Sequence, residues 1–413
     1  MRKFTSLLMQ PAFIFVPFVL TGLAVWFFLP ADYLRLRAKE DFSFSGLLYF
    51  FLWYAVIILA AFLGKAIPLR FMSKNRKLKK SFNLPFYFIV SFLGFLGCAS
   101  LLISLGGFSG ILAAIAEQQV NQLKNALYEN YNSGFLTFRY LTSVSATIAF
   151  YNLLSRRKKT LPLDILNILM LLIVALVSAR ILIFQAVIFS LFLRYAAEGQ
   201  TGNFKPVRSA VIFAAVFATL VVFTYSRSAG TYKNQLNIEN PILVTAVEFS
   251  RYIAMPVQVT VGVANIATTD QMEKLMNFQP MYLAPSFLHP KALKMDNSGG
   301  VGAQWYYSHI DVPGTLTTNS AFAAAVGYLG HFVFIGLPPI IFLFSAIFYL
   351  VARSGDLVLT LYAGVVLYAF FELWRTYYFS AGSFIFFNII FAGYIAVQFL
   401  RGELVLVRKT ASG

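Results

Sequence analysis

The sequence predicts an all-α fold, a polytopic transmembrane bundle of about ten helices with one long helical extracytoplasmic loop. Three observations carry this. The chain is 59% hydrophobic and only 12% charged, whereas a water-soluble surface needs about a quarter of its residues charged. Apolar runs of roughly the 20 residues that cross hydrocarbon recur along its length. Basic residues concentrate in short segments between alternate runs, the pattern that orients membrane helices.

The runs fall near 8–29, 44–64, 85–105, 136–154, 162–178, 181–196, 209–225, 331–351, 357–373 and 381–400. The first follows Met1-Arg2-Lys3 and is too long and too aromatic for a cleaved signal, so it reads as an uncleaved helix. Residues 106–135 open on Gly106-Gly107 and alternate Ile111, Leu112, Ile115 and Leu123 with Glu117, Gln118 and Asn121. That spacing predicts an amphipathic interfacial helix. The runs 162–178 and 181–196 are separated only by Ala179-Arg180. A single helix through both would overshoot the bilayer, so a hairpin with Arg180 at its turn is expected. The stretch 226–330 is far longer than a connector needs. It holds an apolar-rich helix candidate at 241–268, then a Pro/Gly-rich segment with Trp305, Tyr306 and Tyr307. The expected organisation is one integral membrane domain, 1–413, with 226–330 as its large extracytoplasmic loop.

Charge gives the orientation. Segments on one side, from Arg2 through Lys74–Lys80, Arg156–Lys159 and Arg353 to Lys409, carry 20 basic and 4 acidic residues, a net +16. The other side carries a net +1. Both termini are therefore expected to be cytoplasmic, in a multi-pass membrane protein. The same distribution accounts for the overall net charge of +17 without nucleic acid as a partner. The single cysteine, Cys98, excludes an intramolecular disulfide and reads as a small buried hydrophobe.

The signatures of soluble enzymes are absent: no phosphate-binding glycine loop, no clustered Cys/His spacing, no nucleophile elbow. His289, His309 and His331 share no ligand spacing, so neither a metal nor a cofactor is expected. Arginines do stand out, at outward helix ends: Arg139, Arg180, Arg227, Arg251 and Arg375. Arginine is costly in lipid and grips phosphate oxygens in fixed bidentate geometry. Each alone can be a snorkelling residue or half of an ion pair, as Glu248 with Arg251 on one helical face. Five around one loop suit a phosphate-bearing lipid substrate. Arg251 and Gly262 form an R-x10-G spacing, and Trp305 and Tyr306 can stack on sugars or sit in an interfacial aromatic belt.

Four stretches carry a family resemblance. They are Gly106-Gly107 with its amphipathic helix, Val177-Ser178-Ala179-Arg180, Leu283-Ala-Pro-Ser-Phe-Leu-His-Pro-Lys291, and Ala324-Ala-Val-Gly-Tyr-Leu-Gly330. In these the chain resembles the bacterial oligosaccharide repeat-unit polymerases, the O-antigen polymerase type of membrane glycosyltransferase. It departs from them at Ser286, where arginine is frequent, and at Ala324-Ala325, where more polar residues are usual. The resemblance implies a metal-independent enzyme joining undecaprenyl-pyrophosphate-linked oligosaccharides into surface polysaccharide on the outer face of the membrane. The acceptor hydroxyl attacks the anomeric carbon and the lipid pyrophosphate leaves. Arg180, Arg251, Glu248 and His331 are the expected catalytic residues, with His309 and Asp311 as further candidate bases. Arg139, Arg227, Lys291, Arg375, Trp305 and Tyr306 are expected to bind lipid-linked substrate. A chain-length regulator protein is an implied partner. The alternatives are an O-antigen ligase and a lipid-linked oligosaccharide flippase or other transporter, whose ionisable groups would lie near the bilayer midplane. A membrane acyltransferase, which would need a bundle-edge histidine such as His331, is the last.

Overall fold

The computed structural model describes residues 7–34, 36–74, 81–116, 135–155, 158–177, 181–198, 218–219, 221–222, 224–225, 238–269, 306, 309–312 and 320–408. It is a helical bundle: α1 (Val16–Phe28), α2 (Phe44–Lys65), α3 (Leu84–Ser104), α4 (Gly107–Ala116), α5 (Leu141–Leu154), α6 (Leu161–Val177) and α7 (Ile181–Glu198). Then come α8 (Pro241–Ala267), α9 (Ala321–Leu329), α10 (Val333–Val351), α11 (Leu357–Phe371) and α12 (Gly382–Leu400). Among the described residues, six helical stretches are long and apolar enough to cross a membrane.

The helix starts are written in the sequence. Ser43, Asn83, Asn240, Ser320 and Asp356 each cap a helix by accepting a backbone N–H of its first turn. At α3 and α8 a proline in the first turn gives up no hydrogen bond there. α11 is the axis of the bundle. All of its 15 residues are buried, as expected of a helix apolar on every face. α7, α10 and α12 pack on it, α7 and α12 through aromatic rings, for example Phe189 with Tyr368 and Tyr362 with Phe391.

Several expectations are corrected. The run 8–29 is not one helix: residues 9–15 form turns, and α1 begins only at Val16 beside Pro17. The seventh run, 209–225, lies mostly outside the described residues, and so does the amphipathic stretch beyond Ala116. The helix expected inside the outer loop, α8, runs 27 residues, buries most of its length against α1 and α2, and itself has the length and apolarity of a membrane span. The run 331–351 extends backward as α9, broken from α10 at Gly330, whose φ of 58° ends the first helix.

The fold is also not purely helical. Strand β1 (Leu69–Ser73) pairs antiparallel with β2 (Leu404–Arg408), with Leu69 opposite Arg408 and Ser73 opposite Leu404. Ser73 N donates to Ser354 O at 2.8 Å and Lys74 N to Glu403 O at 2.9 Å. The ribbon thus ties together the end of α2, the α10–α11 turn and the end of α12. It gathers Arg70, Lys74, Arg353, Arg401 and Arg408, all from the basic set, at one end of the bundle. The loops at 29–43, 330–332 and 372–381 connect the opposite helix ends.

Candidate functional site

The opposite end from the ribbon holds the polar groups of interest. Arg139 lies in a two-turn 3-10 segment, Phe135–Tyr140, that leads into α5. Its backbone is set directly on α3 because Gly97 offers no side chain. A Cβ there would stand 2.0 Å from Arg139 N and 2.4 Å from Phe138 C. The Arg139 side chain is 1% exposed. It donates from Nη1 to Leu136 O at 2.9 Å and from Nη2 to Tyr140 Oη at 3.2 Å, with its guanidinium 4.7 Å from the Tyr140 ring centre.

Gln185 of α7 donates to Tyr378 Oη at 2.6 Å, and Ser383 shares a 2.8 Å hydrogen bond with the same oxygen. Tyr378 also lies in the electrostatic reach of both Tyr140 and Glu372, and burial pushes its phenol above the usual tyrosine range. Glu372 in turn holds Arg375 by one hydrogen bond, Nη2 to Oε1 at 3.0 Å, and an ion-pair contact of Nε with Oε2 at 2.7 Å. The carboxylate side chain is 1% exposed and the guanidinium 16%, so the pair is buried on its acid side and keeps an open edge on its basic side. Burial works against the Arg375 charge, and the attraction of Glu372 outweighs it, so the guanidinium stays protonated. Two of the five arginines singled out in the sequence are thus held at this end separately, Arg139 on Tyr140 and Arg375 on Glu372.

Arg251 and Glu248 sit on α8, both buried, at 5% and 8% exposure. Arg251 Nε donates to Leu34 O at 3.3 Å. Gly262, the partner in the R-x10-G spacing, lies 11 residues on, near three full turns and so on the same face. It is glycine for a packing reason: a Cβ would meet Ile310 at 2.7 Å. α1 relates the two arginine sites. Phe18 packs on Phe371 and stacks on Trp374, while Gly22 receives Ile253 and Val257 of α8.

The loops around α8 are sewn to it by side-chain amides. Gln258, fully buried, accepts from Trp26 Nε1 at 2.7 Å and Glu40 N at 3.1 Å, and donates to Ala38 O at 3.2 Å and Asp311 O at 3.3 Å. Asn265 accepts from Ser43 N and Oγ and donates to Asp41 O. Asp311 accepts from the backbone N–H groups of Arg37 and Ala38. Glu40 is half-buried beside Asp41 and Asp311. Burial first, opposed by a backbone hydrogen bond from Asp311 and reinforced by the two neighbouring carboxylates, raises its carboxyl above the ordinary value.

Of the remaining expected site residues, His331 is exposed and its Nδ1 shares a 2.5 Å hydrogen bond with Tyr49 Oη. His309 is exposed near the Asp311 clasp. Tyr306 is fully buried in the main apolar cluster, so its ring serves the core. Arg180, Arg227, Lys291 and Trp305 lie outside the described residues. Among the described residues no group of three or more His, Cys, Asp or Glu is placed to hold a metal ion.

Sequence reasoning passed over Glu40, Glu372, Gln185 and Tyr378. Glu372 had a signal, its position three residues before Arg375 on a helical stretch. Gln185 had a weaker one, a lone amide in an apolar run. A second buried cluster was also unforeseen. Asp164, with no exposed surface, accepts from Tyr87 Oη at 2.6 Å, Thr160 Oγ1 at 2.8 Å and Asn152 Nδ2 at 3.1 Å, which satisfies a carboxylate without a cation. No protein-family model matches this chain, and neither the curated proteins nor the solved structures include a match to it.

Proposed function

We propose that this chain is a metal-independent membrane glycosyltransferase that polymerises polyprenyl-pyrophosphate-linked oligosaccharides at the end of the bundle opposite the basic ribbon. In this reading that end is extracytoplasmic, both termini are cytoplasmic, and the membrane is the bacterial inner membrane. The observation that carries the reading is the pair of fixed guanidinium groups at this end, Arg139 held on Tyr140 and Arg375 held on Glu372. Departure of a lipid pyrophosphate builds negative charge, and fixed guanidinium groups stabilise it without metal. Glu372 orients Arg375 and leaves its outer edge for phosphate oxygens. Glu40, with its raised carboxyl, joins Glu248, Asp311 and His331 as a group able to take the acceptor proton.

Deleting the gene and resolving the surface glycan by length tests this. Loss of a polymerase leaves cores carrying one repeat unit, and Arg139→Ala and Arg375→Ala proteins that still accumulate in the membrane do the same. Bare core with polymer stranded on its carrier would instead mean a ligase and overturn the reading. Long chains at wild-type length in both arginine variants would remove the role of the two guanidinium groups.

A transporter of lipid-linked oligosaccharide is the second reading, and α8 is what favours it. This helix carries buried Glu248 and Arg251 and an internal Pro256, which leaves a backbone carbonyl one turn earlier without its helical donor. A flippase null would strand single units on the cytoplasmic face of the membrane.

A further inference from the structure

The ribbon end of the bundle contains a cavity of about 580 Å³ that the arginines at the other end do not line. Arg70 of β1 and Arg353 of the α10–α11 turn face it, with Met72, Tyr151, Gly355 and Thr360 among its other walls, and no carboxylate among the described residues lines it. Nε of Arg70 is buried and makes no hydrogen bond. The hydroxyls of the wall are already engaged: Thr360 Oγ1 donates to Asp356 O, and Ser354 Oγ accepts from Asp356 N. Asp356 does not neutralise the arginines, since its oxygens are taken by Val358 N, Leu359 N and Tyr394 Oη. Gly355, with φ at 74°, keeps one wall free of a side chain.

Half-buried Arg70 and exposed Arg353 border one open space without an acid among its described walls, and the partly buried Arg70 cation is stabilised by an anion at hydrogen-bonding distance. We propose that this cavity is an anion site for a phosphate-bearing group, held by Arg70 and Arg353. The phosphate belongs either to a lipid headgroup or to a small soluble phosphate. Both present the tetrahedral oxygens that a guanidinium fork matches. The ribbon supports the site, because Arg70 is held in register opposite Val407. Substituting its side chain therefore leaves the strand pairing in place.

The test uses the full chain in detergent micelles. One arm titrates phosphatidic acid against phosphatidylcholine and reads retained lipid by native mass spectrometry. The other titrates inorganic pyrophosphate by calorimetry. Arg70→Gln and Arg353→Gln should each weaken saturable binding in one arm by about tenfold or more, as expected for loss of a charge-assisted contact. Arg70→Lys, which keeps the charge and loses the fork, should fall between. Arg401→Gln, an exposed arginine on the same end and outside the cavity, should bind as wild type. Saturable lipid binding with silent pyrophosphate assigns the site to a headgroup, and the reverse assigns it to a soluble phosphate. No saturable binding in either arm overturns the proposal, and so does an equal loss in Arg401→Gln, which would reduce the effect to general surface charge. A glutamine variant that elutes as aggregate is replaced by its lysine counterpart, and wild-type affinity in both lysine variants overturns the bidentate role.

Discussion

Gly97 and Gly94 lie three residues apart on α3 and give a prediction with its own control. At Gly97 a Cβ would sit 2.0 Å from Arg139 N, and at Gly94 the nearest atom, Thr142 Cγ2, is 3.5 Å away. Ordinary contact begins near 3.4 Å, so Gly97→Ala forces the 135–140 segment back by about 1.4 Å. The obstruction is backbone, which cannot rotate away, so the overpacking cost falls toward the upper part of the range of about 1–3 kcal/mol. Alanine returns about 1 kcal/mol of helix propensity at either position. Gly97→Ala should then be destabilised by about 1–2 kcal/mol, and Gly94→Ala should equal or exceed the wild type. Cys98, the single cysteine and buried at 4% exposure, reports unfolding through a thiol-reactive fluorophore. The displacement also moves Arg139, and a misplacement of about 1 Å at a reacting centre costs on the order of a hundredfold in rate. If Gly97→Ala labels at the same temperature as Gly94→Ala, the close approach of α3 to the Arg139 segment is wrong.

Two further perturbations follow from the loops around α8. Gln258→Leu strips four hydrogen bonds from a site with no water access and should cost about 3 kcal/mol, read as a lower unfolding temperature; an unchanged value would mean the clasp adds nothing. Glu40 has a raised folded carboxyl, so the folded state holds its proton more tightly than the unfolded chain does. Its stabilising contribution is present below the unfolded carboxyl value and is lost as pH rises through the folded one. Glu40→Gln should therefore unfold above the wild-type temperature at about pH 8 and lose that advantage near about pH 4. An equal offset at both would exclude Glu40 as the titrating group.

What the sequence makes legible is what depends on local composition. The positions of α2, α3, α10, α11 and α12 follow from apolar length alone, and the caps of α2, α3 and α11 from single residues. α8 was placed in a loop because Gln258, Thr260 and Asn265 dilute it to a mean hydropathy of 1.2, against 2.3 for α2. Those polar groups are satisfied by Trp26, Ser320 and Ser43, residues up to more than 200 positions away, and no local window contains that information. The ribbon was invisible for the same reason, since β1 and β2 lie at opposite ends of the chain. At the site, arginine as a residue type was legible from its cost in lipid, and its partners were not. The tyrosine at 378 reads as one aromatic among many until Gln185 of α7 and Ser383 of α12 converge on its hydroxyl.

The two ends of the bundle make separate contacts, and that separation is itself testable. The Gln258 clasp gathers at the start of α2, and the Arg70 ribbon follows its other end, about 30 Å away along a helix of 22 residues. The two ends share no hydrogen-bond partner among the described residues. Effects of distant, independent sites add to within about 0.5 kcal/mol. The double variant Gln258→Leu/Arg70→Gln should therefore unfold with the sum of the two single changes. A polymerase that works at one end has no need to couple the two. A transporter by alternating access does, because opening one end must close the other, and the elements at both ends then belong to one moving unit. An interaction energy well above about 0.5 kcal/mol in the stability cycle would refute independence and shift the balance from the polymerase to the transporter. Additivity there, together with single-unit glycans in the deletion strain, leaves the ribbon end to its own ligand and Arg139 and Arg375 to the pyrophosphate.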